Sequence, residues 1–545
     1  DPEGNVIAMV DRLGRRTTVA YDKLNRREQV TYVDAVVNYT YDRAGRLTKV
    51  TDTPSGPIEW AYDDANRLLS ETTSQGVVSY TYNIASQRET MTVAPSAPLA
   101  ARPPVTYDYD AAGRLWKINQ SAETFTYSYD ELSRVERLDR PNGVKTEYSY
   151  DEVNRLKRLT HSNAAGVGLE DFQYSFNADD EIDEIRSLAS ATRLPNSIRT
   201  VSNADAANRI GQFGQASYTF DAEGQTKTKT EADGTDVYDW DARGRLKKVT
   251  LPSGQAVSFE YDAMGRRINR AADGITTNFV YDGQDVVLDR IGSGTVDYLN
   301  GIGIDDKLRQ ANASLGALYF LRDHLGSTAA LVNGPGSLIE RAQYEAFGAS
   351  AGSSLARYGF TSRELDPATG LMYYRARWYE PIQGRFTSED PIRLRGGLNF
   401  YSYVQNNPVG LVDPLGLATW LCKRPLGGYG NGQRTGLDIW GNPLYHQYYC
   451  IGDLPNPHCY GQCSSGGLYS QGKPCNDTYS PEWCEEIEPR DTCIEACLYA
   501  EGLTDRPSYG VAGPKTNCQE WSNDAISYCR KKCQKEKKTC EDKCP

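Results

Sequence analysis

Two Asp-Pro dipeptides, Asp390-Pro391 and Asp413-Pro414, stand 23 residues apart in this 545-residue chain. Two carboxylates brought into one site cannot both ionise cheaply, so one keeps a proton it can donate while the other draws a proton from water. That division of labour is the chemistry of aspartyl hydrolysis. The second dipeptide opens Asp413-Pro414-Leu415-Gly416-Leu417 and stands four residues before the Leu417-Ala418 bond. An isolated Asp-Pro simply begins a turn, with Asp accepting amide hydrogen bonds and Pro setting φ. Arg375, Arg377 and Arg385 lie upstream as possible cationic partners, or as three solvated strand residues. His324, in Asp323-His324-Leu325-Gly326-Ser327, reads as a turn residue bonded locally rather than as a base.

The elements that must hold such a pair are written in a period of about 20 residues. Tyr21-Asp22, Tyr41-Asp42, Tyr62-Asp63, Tyr109-Asp110, Tyr129-Asp130, Tyr150-Asp151, Tyr261-Asp262 and Tyr281-Asp282 each begin a unit. Most are followed by Gly or Asn and then Arg, as in Gly45-Arg46-Leu47 and Asn66-Arg67-Leu68. In Val37-Asn38-Tyr39-Thr40-Tyr41, alternate residues are aromatic or β-branched, the period-two signature of a strand with one buried face. Gly or Asn suits the positive φ of a tight turn, and Asp can accept the amides beyond it. Each unit therefore reads as strand, turn and strand, and twelve or more such hairpins make a long antiparallel sheet that must coil to protect its edges. Residues 177–219 and the run Pro95 to Pro104 break the period and read as a degenerate repeat and a loop.

This pattern resembles the YD-repeat, or Rhs, family. The resemblance sharpens after Tyr298, where Tyr319-Phe320-Leu321-Arg322-Asp323-His324-Leu325-Gly326-Ser327, Tyr344-Glu345-Ala346-Phe347-Gly348, Tyr373-Tyr374-Arg375-Ala376-Arg377-Trp378-Tyr379 and Gly384-Arg385-Phe386-Thr387-Ser388-Glu389-Asp390-Pro391 match, in order, the Rhs-associated core. It implies an all-β fold in which hairpins coil into a hollow shell, with residues 1–297 as the repeats, 298–417 as the core and 418–545 as a separate tail. It also implies that Asp390 and Asp413 cut the chain between Leu417 and Ala418, with Arg377 supporting the pair. A delivery protein that is secreted or displayed at the cell surface follows by the same resemblance, retaining its own cleaved tail as a toxin. An immunity protein and a secretion or delivery apparatus are then the partners. Asp1-Pro2-Glu3-Gly4-Asn5 aligns with the interior of a repeat, so the chain reads as starting mid-unit, with a shell that need not close by itself.

The tail is a different material. All thirteen cysteines lie after Leu417, a density typical of disulfide scaffolds that mature in an oxidising compartment, and the odd number leaves one thiol over. Thr492-Cys493-Ile494-Glu495 and Asn517-Cys518-Gln519-Glu520 are capping boxes that predict helices over 493–501 and from 517 through Cys533, making the tail partly α-helical. Cys493 and Cys497 share one helical face, as do Cys529 and Cys533, so two antiparallel helices could be stapled as Cys493 to Cys533 and Cys497 to Cys529. Zinc is disfavoured because no Cys-x-x-Cys pair exists, and no cofactor is called for. Asn517-Cys518 at a helix N-terminus, with His446 or His458 upstream as base, resembles the Asn-Cys nucleophile of papain-like hydrolases and transferases, though Cys518 reads more simply as a half-cystine. The basic cluster from Arg530 to Lys538 is interrupted by Glu536 and reads as a solvated face.

A net charge of −12 argues against a dedicated nucleic-acid binder, and no run of 18 apolar residues appears. Membrane contact by the tail stays open. The rival to delivery is a surface structural or adhesive YD-repeat protein whose disulfide-rich tail binds a ligand.

Overall fold

The computed structural model describes residues 1–178, 181–188, 201, 204–350, 355–393 and 397–417, and the backbone of four further strands between 420 and 478. The chain forms two compact units, Asp1–Thr419 and Trp420–Pro545.

The first unit is built from one repeated turn. Asp42 Oδ1 accepts the amides of Ala44 and Arg46, each at 2.9 Å, and Oδ2 takes Arg46 Nε at 2.6 Å. Gly45 between them sits at φ +84°, the left-handed region that glycine enters without steric cost. The same Arg then reaches into the next repeat. Arg46 Nη1 donates to the Asp63 carbonyl at 2.8 Å and to Asn66 Oδ1 at 2.9 Å, its guanidinium lies 5.0 Å from the centre of the Tyr62 ring, and Tyr62 Oη donates to the Leu47 carbonyl at 3.0 Å. Stacking of the next aromatic ring by this Arg recurs at Arg26 on Tyr41, Arg67 on Tyr82, Arg114 on Tyr129, Arg134 on Tyr150, Arg245 on Tyr261 and Arg266 on Tyr281. The Tyr-Asp and Gly-Arg pairs of the sequence are thus two ends of a staple between neighbouring hairpins.

Stapled in this way, strands follow one another without crossovers. Seventeen antiparallel strands run in chain order from Ala8–Val10 to Ile182–Ser187, and fourteen more from Gln212–Phe213 to Leu338–Arg341. Alternate side chains are buried, as in Gly76–Tyr82, where Val78 and Tyr80 face inward. The two sheets share a core in which Val78, Ile118, Phe125 and Leu138 of the first meet Leu288, Leu299, Leu321 and Val332 of the second. The Pro-rich break is part of this seam. The strand Arg88–Pro95 runs into it, and Arg102 beyond donates to the carbonyls of Val287 and Tyr298 at 2.8 and 3.0 Å. Within the stretch that breaks the period, residues 204–209 make the repeat's turn: Asp205 accepts the amides of Ala207 and Arg209 and pairs with Arg209 like any other motif Asp.

Arg266 joins the sheets through charge. It holds Asp262 of its own turn at 2.7 Å and Glu71 of the first sheet at 2.7 Å, all three buried. Arg266→Met would strand two buried carboxylates, so we expect a loss of about 3–5 kcal/mol, read as a lower denaturant midpoint for the body.

The second unit contains an antiparallel sheet of Trp420–Pro425, Tyr445–Ile451, His458–Ser464 and Gly472–Thr478. These strands precede the helices that the sequence predicts, and no pattern in the sequence announces them. His446 stands opposite Arg424, and His458 opposite Ile451 and Thr478. The expected helices, the pairs among Cys493, Cys497, Cys529 and Cys533, and Cys518 all lie outside the described residues.

Candidate active site

Later in the chain than the second sheet, four short strands form a closing hairpin layer, Glu364–Leu365, Met372–Tyr374, Arg377–Glu380 and Arg385–Phe386. Tyr374, Tyr379, Phe386 and Tyr403 pack edge to face in its core, together with Phe360 and Met372. Arg375 and Ala376 make the tight turn between Tyr374 and Arg377, which are partners in register.

Arg377 is buried beneath Phe386, its guanidinium carbon 3.6 Å from the ring centre. Four groups share its nitrogens. Nη2 lies 2.9 Å from Asp390 Oδ2 and 3.5 Å from Asp413 Oδ2, Nη1 donates to the Phe400 carbonyl at 2.9 Å, and Nε donates to the Gly416 carbonyl. Both carboxylates are 3% exposed, and Arg377 is a buried cation that both of them face, opposing the cost of their burial. Each Asp also shapes its own turn. Asp390 Oδ1 accepts the Ile392 amide at 3.0 Å, and Asp413 Oδ1 accepts those of Leu415 and Leu417 at 3.3 and 3.1 Å. The turn-forming and pairing readings of the Asp-Pro dipeptides are therefore compatible.

Burial pushes the Asp413 carboxyl up to about 6, with the Asp390 charge adding to the rise and Arg377 and the Leu417 and Leu415 amides opposing it. Desolvation likewise moves the Arg377 guanidinium down.

The other two arginines are not interchangeable with Arg377. Arg375 is buried, bonded to the Pro414 carbonyl and to Asp305, while Arg385 donates to the Asn208 carbonyl and to Asn399 Oδ1. The solvated reading fails for Arg375 and Arg377, which are 9% and 3% exposed. His324 Nε2 bonds the Val409 carbonyl at 2.9 Å, and Asp323 caps its turn. Leu417 is in the group through its amide, and Ala418 lies outside the described residues. Sequence reasoning missed Arg363, Asp305, Asp285 and Lys307, which surround Arg375; no spacing or motif links residues so far apart in the chain.

The segment bearing Asp390 is also tied to the first repeat. Glu389 receives Arg12 Nη1 and Nη2 at 3.0 and 2.7 Å, and Arg12 holds the Glu223 carbonyl at 2.7 Å. Among the described residues no cluster of His, Cys, Asp and Glu has the makings of a metal site, and no helix is long and apolar enough to cross a membrane.

Comparison with known proteins matches residues 168–409 to the teneurin YD-shell family and residues 1–37 to the RHS repeat. The tRNA3(Ser)-specific nuclease WapA of Bacillus spizizenii is 30% identical over 231 residues, covering 39% of this chain and 10% of that protein. Toxin subunit YenC1 of Yersinia entomophaga is 30% identical over 220 residues, covering 34% of this chain and 22% of that one. The probable deoxyribonuclease RhsB of Dickeya dadantii is 31% identical over 195 residues, 33% of this chain and 14% of the relative. The matched part is therefore a small fraction of each relative. Among solved structures, that of TcdB2-TccC3 superposes with a TM-score of 0.50 at 17% identity, covering 76% of this chain and 29% of that one, a likeness of fold. The stapled Tyr-Asp hairpins and these matches agree: through residues 1–37 and 168–409 the body of the chain is built of RHS and YD-shell repeats.

Proposed function

We propose that the body is a carrier that cuts itself from its tail at Leu417-Ala418 by the paired aspartates, the tail being an effector. The observation that carries this reading is that Arg377 gathers Asp390, Asp413 and the Gly416 carbonyl on one buried guanidinium, one residue short of the bond to be cut. Asp390, which takes the shorter bond from Arg377, accepts a proton from water as the hydroxide adds to the Leu417 carbonyl carbon. Asp413, kept protonated by its burial, donates to the carbonyl oxygen. Collapse of the resulting diol breaks the C–N bond, a proton passes to the departing amine, and Leu417 ends as a carboxylate and Ala418 as a new N-terminus. In this scheme the pair works once per chain.

The relatives' names, nucleases and toxin subunits, support a delivery role. We extend it to a tail held by the body after cleavage, an immunity protein in the producing cell and export towards a target cell. The tail's own chemistry is left unassigned.

The test is electrophoresis under denaturing conditions with intact-mass measurement of the full chain. Two fragments meeting at Leu417 and Ala418 are expected, and a single intact band would overturn the reading. The pH profile is a second check. Because the Asp413 carboxyl is raised to about 6, its proton is present below that value and lost above it, so the cleavage rate should fall as pH rises through about 6. Stability has the same sign: Asp413 favours the folded body most at low pH, and this contribution is lost between its ordinary 3.8 and about 6.

A further inference from the structure

Three successive carbonyls before the proposed cut are each received by donors from one stretch of the closing layer. The Pro414 carbonyl takes Arg363 Nη1 at 3.0 Å and also Arg375 Nη1. The Leu415 carbonyl takes the Ala376 amide at 3.0 Å, and the Gly416 carbonyl takes Arg377 Nε. The Leu417 carbonyl is next in the series.

The first grip has its own scaffold. Asp305 Oδ1 holds Arg363 Nη2 at 2.7 Å and Arg375 Nη2 at 2.8 Å, while Oδ2 holds Arg375 Nη1 at 3.0 Å. Behind it, Asp285 accepts the Asp305 amide at 3.1 Å and Lys307 Nζ at 2.8 Å. Two acidic groups thus face three basic ones in a buried cluster, and the surplus positive charge points at a neutral carbonyl. Well-packed apolar side chains would stabilise a fold at least as well as such a cluster. What the charges add is a fixed direction for two guanidinium forks, and hence a fixed place for the Pro414 oxygen.

We infer that Asp305, Arg363 and Arg375 form a positioning clamp that sets the register of Pro414, Leu415 and Gly416 so that the Leu417 carbonyl meets the aspartate pair. They are positioning residues, since the bonds they make go to the Pro414 and Gln284 carbonyls, to Asp285 and to one another. The inference rests on the proposed cleavage after Leu417. Small misplacements of a reacting carbonyl cost rate steeply.

The experiment uses the full chain made by cell-free synthesis, with cleavage followed over time at several pH values. Arg363→Met is expected to slow cleavage about 30-fold, and Arg363→Lys, which keeps a donor for Pro414, to recover most of that loss. The fall in rate near pH 6 should be unmoved in both, because the aspartate pair is intact. A wild-type rate in Arg363→Met would overturn the clamp while leaving the aspartate mechanism standing; an intact wild type would instead overturn the mechanism. Independently of cleavage, hydrogen exchange is measured in the Asp390→Asn background, with the Ile118 and Leu138 amides as controls for folding. Arg363→Met should speed exchange of the Ala376 and Leu417 amides about tenfold or more, and unchanged exchange there would sink the clamp. Asp305→Asn, which keeps the shape of the brace and removes its charge, is the second variant should Arg363→Met fail the folding control, with the same outcomes.

Discussion

A chain carrying Asp413→Asn is expected to remain in one piece. The amide cannot supply the proton that the Leu417 carbonyl oxygen needs, and loss of a positioned acid or base typically costs 10²- to 10⁴-fold, so we expect a fall of about 10³-fold or more. Asn is close to isosteric and can still accept the Leu415 and Leu417 amides that Asp413 now holds, so the loop should keep its course. Asp390→Asn should give the same result, because the two groups act as a unit. The measurement is the fraction of chain cut after a fixed incubation, by electrophoresis, with thermal melting of the body as the control for folding. Cleavage persisting at the wild-type rate in both variants would remove the aspartate pair from the mechanism.

Gly416→Ala should be nearly as damaging for a steric reason. Gly416 sits at φ +67°, and a Cβ there would collide with the Tyr374 carbonyl oxygen and stand 3.1 Å from the Arg377 amide. Neither neighbour can yield, since both belong to the hairpin that carries Arg377. The peptide must therefore lift off, breaking the Arg377 bond to the Gly416 carbonyl, and we expect cleavage to slow about 100-fold. Gly254→Ala is the matched control. It has φ +82° but open space around the missing Cβ, so it should cost only about 1 kcal/mol of stability and leave cleavage unaltered. Equal effects at the two glycines would show that backbone strain, and not contact with the hairpin, governs the site.

The hairpin architecture was legible in the sequence because each Tyr-Asp and Gly-Arg pair acts locally, within one turn and its neighbour. The same locality hid the turn at residues 205–209. Asp205 lacks a preceding Tyr, yet its turn needs only the Asp, the Asn208 backbone and Arg209. Asp390, Asp413 and Arg377 could be named from the likeness to the Rhs-associated core, whereas residue type alone did not separate Arg377 from Arg375 and Arg385. All three are charged residues of one short segment, and what separates them is that Arg375 lies in the hairpin turn, Arg377 on the strand that follows it and Arg385 on the next strand. The clamp around Asp305 left no trace at all in the pattern, because its members are joined only by tertiary packing. The four strands after Trp420 had no periodic repeat to announce them.

Time enters through the bond between Arg12 and Glu389, which spans 377 residues of chain. Chains are made at roughly 5–20 residues per second, so Arg12 has left the ribosome's active centre for about 20–75 s before its partner exists. Asp413 then follows Glu389 within about 1–5 s at the same pace, leaving the residues after Leu417 still to be made. If the body cuts itself as proposed, a cut faster than the synthesis of those residues would part it from a tail still held on the ribosome. For the body to keep hold of what it releases, the proposed cut would have to be slower than that synthesis.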